Sequence, residues 1–148
     1  MKASDKAKSV EERMLNRLRE KGYKLTPQRR EIIRILAQDT AHPRAAEILQ
    51  NARKHAPSIS TSTVYYTLAM LKKEELIREI EFYDMDNRYD TNVSNHLNLI
   101  CERCGRIEDY ADELPFSSKN IEQRSDFQPF RFRFECYGIC RKCRSRRK

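Results

Sequence analysis

Ser60-Thr61-Ser62-Thr63-Val64-Tyr65-Tyr66-Thr67-Leu68-Ala69-Met70-Leu71 is the stretch on which the fold turns. Ser60 carries the side-chain oxygen of a helix cap, and Val64, Leu68 and Leu71 recur at the spacing of one helix face. The pattern predicts a helix from about Thr61 to Glu74 with those three residues inward. Thr61, Ser62, Tyr65 and Tyr66 then crowd its N-terminal end, with many hydroxyls and no acid. An isolated surface helix rarely has that make-up. A helix in a DNA major groove often does, because hydroxyls meet phosphates and base edges there.

Upstream of this stretch, Pro57 breaks the chain, and a third helix is expected after His42-Pro43 with Ala45, Ala46, Ile48, Leu49 and Ala52 inward. In Leu25-Thr26-Pro27-Gln28-Arg29-Arg30, Thr26 can cap a helix whose first residue is Pro27. Ile32, Ile33, Ile35 and Leu36 supply its buried face. Val10, Met14, Leu15 and Leu18 form a first helix, stopped at Gly22 and preceded by a loose, charged start. Downstream, Ile77 to Phe82 and Arg88 to Thr91 make two strands around a turn at Asp84 to Asn87. Helices followed by a two-stranded hairpin are the order of a winged helix-turn-helix domain, with Arg78 and Arg88 on or near the wing, facing backbone phosphates. The plainer alternative is a small helical domain with a hairpin and no DNA.

The second half changes character. Leu97, Leu99 and Ile100 form a strand, Ile107 and Tyr110 lie on its return, and residues 113–125 form a short helix. Phe130-Arg131-Phe132-Arg133-Phe134 alternates strictly, which predicts a strand with one buried face. The fold class is therefore α+β: a winged-helix domain over residues 1–88 and a small dimerisation domain over 89–148. A domain of about 60 residues is marginal alone and calls for a metal and a partner subunit.

Net charge is +8, from 30 Lys and Arg against 22 Asp and Glu, a balance suited to a polyanion such as DNA or to simple solubility. The tail from Arg141 to Lys148 is strongly basic, as a solvated end or a nucleic-acid contact would be. No apolar run reaches the length of a membrane span and the N-terminus is polar, so a cytoplasmic protein without a membrane partner is expected.

Four of the five cysteines form two pairs, Cys101-Glu102-Arg103-Cys104 and Cys140-Arg141-Lys142-Cys143. Each Cys-x-x-Cys turn brings two thiolates to one ion, and two turns complete a tetrahedron of sulfurs, which suits a structural Zn2+. Neighbouring Arg103, Arg106, Arg141 and Lys142 favour the thiolate form. The last strand must return beside the first for the pairs to meet. A redox dithiol enzyme is the rival, but neither pair has a thioredoxin-like strand–helix context, so a non-enzyme is expected. Cys136 is expected to be a small buried residue, and His55 an exposed one.

These residues together resemble the ferric uptake regulator (Fur) family. Leu25 to Arg29 look like its second-helix start, Ala41-His42-Pro43 like the approach to its third helix, and Ser60 to Leu68, with Thr63-Val64-Tyr65, like its recognition helix. His96 to Gly105 and Tyr137-Gly138-Ile139-Cys140 look like its dimerisation domain and zinc site. The resemblance implies a homodimeric repressor on palindromic double-stranded DNA operators, with Thr61, Ser62, Thr63, Tyr65, Tyr66, Arg29, Arg78 and Arg88 as the DNA-contacting set. It also implies a regulatory Fe2+ or Mn2+ between the domains, on His42, Asp90, His96 and Asp109. The aspartates make the site most similar to the peroxide-sensing branch. Three departures stand out. Asn98 occupies the place of that branch's second histidine, a weaker neutral donor, and Phe132 stands where many relatives have a further histidine. Tyr66 replaces the Arg or Asn common after Thr-Val-Tyr. With Asn98 there, a DNA-binding protein holding structural zinc but no working sensor remains the alternative.

Overall fold

The computed structural model describes residues 3–110 and 112–146, so the last two residues of the basic tail, Arg147 and Lys148, lie outside the described residues. The chain forms two compact units, Met1–Val93 and Ser94–Lys148.

The first unit opens with α1 (Ala3–Glu20). The charged start is therefore helical rather than loose from Ala3 onward. It holds no Gly or Pro and is rich in Ala, Lys, Glu, Arg and Leu, all good helix formers. Gly22 ends the helix at φ +76, while its N–H reaches the Arg19 carbonyl and the Tyr23 N–H reaches that of Leu18, both at 2.9 Å. In α2 (Pro27–Gln38) Thr26 Oγ1 accepts from the Arg29 N–H, and Pro27 begins the first turn. Then come α3 (Ala45–Arg53) and α4 (Thr61–Lys73), the latter capped by Ser60. Ala45, Ile48 and Ala52 are buried on α3, but Ala46 is exposed and Leu49 only half-buried. At 100° per residue, Ala46 falls beyond the edge of the face its neighbours define.

The four helices close over one core that includes Met14, Leu18, Ile32, Ile33, Leu36, Ile48, Val64, Leu68 and Leu71. Leu68→Ala is expected to cost about 2–5 kcal/mol, as large-to-small core substitutions do, whereas Ala46→Ser should stay within about 0.5 kcal/mol. Urea unfolding of the two variants checks the contrast.

β1 (Arg78–Ile80) and β2 (Arg88–Asp90) pair antiparallel, with Arg78 opposite Asp90 and Ile80 opposite Arg88. The segment before α3 joins them: Arg44 bridges to Arg88, and the Tyr89 N–H reaches the Pro43 carbonyl at 3.0 Å. All of β2 belongs to the first unit, so a division after residue 88 would cut a paired strand.

The second unit holds β3 (Leu97–Cys101), β4 (Ile107–Tyr110), α5 (Ser118–Arg124), β5 (Glu135–Gly138) and α6 (Arg141–Ser145). The sheet order is β4-β3-β5, with β4 antiparallel and β5 parallel to β3. The helix expected over 113–125 begins only at Ser118. Ser117 caps it, accepting from the Asn120 N–H at 3.2 Å while its own N–H reaches Asn120 Oδ1 at 3.0 Å.

Two expectations fail here. Phe130 to Phe134 is not a strand, since the ladder starts at Glu135. β5 meets β3 with Glu135 opposite Asn98, and the Asn98 N–H reaches the Phe134 carbonyl at 3.0 Å; β3 begins at Leu97, so the aromatic segment before it finds no ladder among the described residues. Its alternation does place Phe132 and Phe134 on one side, where their rings stack 5.4 Å apart, while Phe130 is 96% exposed. Cys136 is exposed rather than buried, because β5 is an edge strand whose residues after Glu135 all face solvent within this chain. No helix among the described residues is long and apolar enough to cross a membrane.

Candidate metal centres and nucleic-acid interface

The parallel pairing of β3 with β5 brings the C-terminal ends of both strands to one edge, and each strand runs out into a Cys-x-x-Cys turn. Around Gly105, at φ +71, the first turn closes with the Gly105 N–H on the Cys101 carbonyl at 2.8 Å. The Glu102 N–H on the Gly138 carbonyl, at 2.9 Å, ties this turn to the end of β5. The second turn is the start of α6. There the Cys140 N–H points at Cys101 Sγ from 3.3 Å.

Sulfur atoms of Cys101, Cys104, Cys140 and Cys143 all lie within 4.8 Å of one another, and all four thiols are free. Cys104 Sγ and Cys140 Sγ are 3.8 Å apart. A disulfide requires about 2.05 Å. Two sulfurs about 2.3 Å from a common zinc in a tetrahedron stand about 3.8 Å apart, so the spacing fits that ion and not a bond. Backbone N–H groups from Cys140, Cys104 and Arg103 lower the Cys101 thiol to about 6. Burial pushes the Cys143 thiol up to about 12, so metal uptake must displace a proton there. Arg103 also braces the site, its Nη1 donating to the Cys143 carbonyl at 2.7 Å. Arg103 was legible in the sequence only as a charge favouring thiolates.

In the first unit, His42 sits at φ +56, the left-handed region, at the turn before α3. The Arg88 guanidinium holds that turn, with Nε on the His42 carbonyl and Nη2 on the Ala41 carbonyl at 2.9 Å. Arg88, expected at phosphates, thus also positions His42. The buried His42 ring lies with Nε2 3.7 Å from Oδ2 of the buried Asp90, whose Oδ1 accepts from the Asn92 N–H at 2.7 Å.

In the second unit, His96, Asn98 and Asp109 share one face of the sheet. His96 and Asn98 are two residues apart, and Asn98 stands directly opposite Asp109 in the β3–β4 register. His96 Nδ1 is 2.9 Å from the Ser94 carbonyl, which requires the proton on Nδ1 and leaves Nε2 as the donor atom. Nε2 is 3.5 Å from Asp109 Oδ1. Asn98 is buried, and its Oδ1 has no hydrogen-bond partner among the described residues. Both histidine–aspartate distances exceed good hydrogen-bond length. They are close to the roughly 3.0–3.4 Å between two ligands about 2.1 Å from one ion.

On α4, Thr61 and Ser62 are exposed, and Tyr65 and Tyr66 are 54% and 61% exposed. Thr63 is half-buried, with Oγ1 2.9 Å from Ser60 Oγ. Arg29, from the start of α2, lies over the Tyr66 ring at 5.1 Å. Arg78 is half-buried on β1. His55 is exposed as expected and pairs with Glu31 at 3.1 Å.

Residues 20–137 match the model of the Ferric uptake regulator family. The peroxide-responsive repressor PerR of Staphylococcus aureus is 35% identical over 130 residues, covering 87% of this chain and 88% of its own. Among solved structures, the Helicobacter pylori ferric uptake regulator Fur, described with three functional metal binding sites, superimposes with a TM-score of 0.71 at 27% identity, covering 93% of each chain. PerR from Streptococcus pyogenes, described for peroxide sensing and gene regulation, gives 0.53 at 31% identity, covering 90% of this chain and 92% of its own.

Proposed function

Because this chain belongs to the ferric uptake regulator family, a family of metal-sensing regulators, we propose that it is a cytoplasmic, homodimeric transcription repressor that reports peroxide through a bound divalent ion. Zinc on Cys101, Cys104, Cys140 and Cys143 holds the second unit together. One Fe2+ or Mn2+ is taken up jointly by His42 and Asp90 of the first unit and His96 and Asp109 of the second, with the Asn98 oxygen as a further donor. Nitrogen and carboxylate ligands of this kind suit those ions. α4 presents Thr61, Ser62, Thr63, Tyr65 and Tyr66 to the major groove of a palindromic operator, with Arg29, Arg78 and Arg88 at its phosphates.

The observation that carries this reading is a histidine–aspartate couple in each unit at ligand spacing, with His42, Asp90 and His96 buried and Asp109 exposed. Burial of such groups is costly unless an ion or a partner compensates. A working sensor, rather than structural zinc alone, is favoured by the buried oxygen of Asn98, which has no hydrogen-bond partner among the described residues. Metal regulates only as far as it binds the DNA-competent arrangement better than the other. When bound, iron would supply redox chemistry toward hydrogen peroxide, and His42 and His96 would be the histidines that hold it.

Peroxide treatment of the iron-loaded protein, followed by peptide mass spectrometry, tests the signal. One added oxygen on the His42 or the His96 peptide, absent from the manganese-loaded protein, is the expected result. Unmodified histidines together with iron-dependent operator binding would replace peroxide by metal supply as the signal.

A further inference from the structure

The exposed face of α4 lacks the side chains that read bases in pairs of hydrogen bonds. Through its first three turns the exposed positions are Thr61, Ser62, Tyr65, Tyr66 and Ala69. Guanine is read by Arg or Lys and adenine by Asn or Gln, each through two bonds, and none of these types stands there. What the face offers instead is two phenol rings, each more than half exposed, flanked by hydroxyls and a methyl group. Apolar surface in the major groove has one distinctive partner, the C5-methyl group of thymine.

The Tyr66 ring is not loose. The Arg29 guanidinium covers one of its faces at 5.1 Å, and Arg29 Nη1 is tied to the Lys24 carbonyl at 2.5 Å. A cation over an aromatic face holds the ring in place. With one end of the guanidinium anchored to the chain, Arg29 is oriented by protein atoms before DNA arrives. That arrangement fits a charge that meets phosphate better than a fork that seeks guanine.

We propose that Tyr66, steadied by Arg29, is a specificity-determining residue of this chain and selects a thymine in each operator half-site through its methyl group, beside the position met by Tyr65. Tyr66 is the reading side chain, and Arg29 is a positioning residue that also supplies a phosphate contact. This rests on α4 being the groove-entering helix.

The test uses the full chain loaded with zinc and manganese and a random double-stranded DNA library. Each thymine of the enriched site is then replaced by uracil, which removes only the methyl group. Uracil at the Tyr66 position of a half-site should weaken binding about fourfold, the loss of roughly 0.8 kcal/mol for one buried methyl. Tyr66→Ala should lose the thymine preference at that position, while Tyr66→Phe keeps it. Arg29→Ala should make the salt dependence shallower and blunt discrimination at the Tyr66 position alone. Enriched sites indifferent to uracil, or sites where 7-deazaguanine costs affinity in wild type but not in Arg29→Ala, overturn the inference while leaving DNA binding intact. A library that shows no enrichment overturns the DNA-binding reading itself.

Discussion

Cys143→Ser is expected to unfold the Ser94–Lys148 unit and to abolish dimerisation and operator binding with it. The buried apolar residues of that unit, among those described, are Ile100, Cys101, Ile107 and Cys143, against a core in the first unit that draws on all four of its helices. Burial so limited does not offset the conformational entropy of ordering some fifty residues. A structural zinc contributes roughly 10 kcal/mol or more in sites of this kind, larger than the net stability of most small domains. Removing one ligand leaves three sulfurs, opens the tetrahedron to water and forfeits much of that energy. Cys104→Ser should act alike although Cys104 is exposed, because its role is ligation rather than packing. Cys136→Ser should be near neutral, since that thiol lies outside the cluster. Zinc content by elemental analysis, circular dichroism and sedimentation together make the check. A zinc-free Cys143→Ser protein that stays folded and dimeric would remove the sulfur site from the stability argument altogether.

The second large effect concerns regulation rather than folding. Replacing His42 or His96 by alanine should leave zinc content and the dimer intact but lower metal-stimulated operator affinity by about a hundredfold. Switching a two-state equilibrium almost fully requires differential binding of up to about 10⁴, and loss of a neutral imidazole from a site of so few donors removes much of it. Asn98 gives the graded test. Asn98→His supplies imidazole in place of an amide oxygen and should tighten manganese binding about tenfold. Asn98→Ala removes the donor and should weaken it by a similar factor. Fluorescence anisotropy on an operator duplex across a manganese titration measures all four variants. Unchanged metal response in both histidine variants would favour the reading in which the chain holds structural zinc and no working sensor.

Much of this molecule could be read from the chain because the relevant information is local. Thr26 before Pro27, Ser60 before Thr61 and Gly22 after Glu20 act within one helical turn, so their residue types suffice to place the ends of α1, α2 and α4. The two Cys-x-x-Cys turns are likewise self-contained, which is why four sulfurs were legible as one site before any strand order was known. Other features depend on what lies alongside. Phe130 to Phe134 has the pattern of a strand, but β5 meets β3 at Asn98, next to the start of β3 at Leu97, so the residues before Glu135 run past the strand they would pair with. Cys136 has the character of a buried residue, yet it lies on an edge strand. Nothing local shows that the carbonyls of Ala41 and His42, more than forty residues earlier, also meet the Arg88 guanidinium. The Asn98 oxygen, without a hydrogen-bond partner among the described residues, and the guanidinium of Arg29 over the Tyr66 ring are likewise products of packing. Residue type and short-range spacing determined the helices, the sulfur cluster and the family; only tertiary structure decided how far each strand found a partner and which distant groups each polar side chain met, because both depend on segments far apart in the chain.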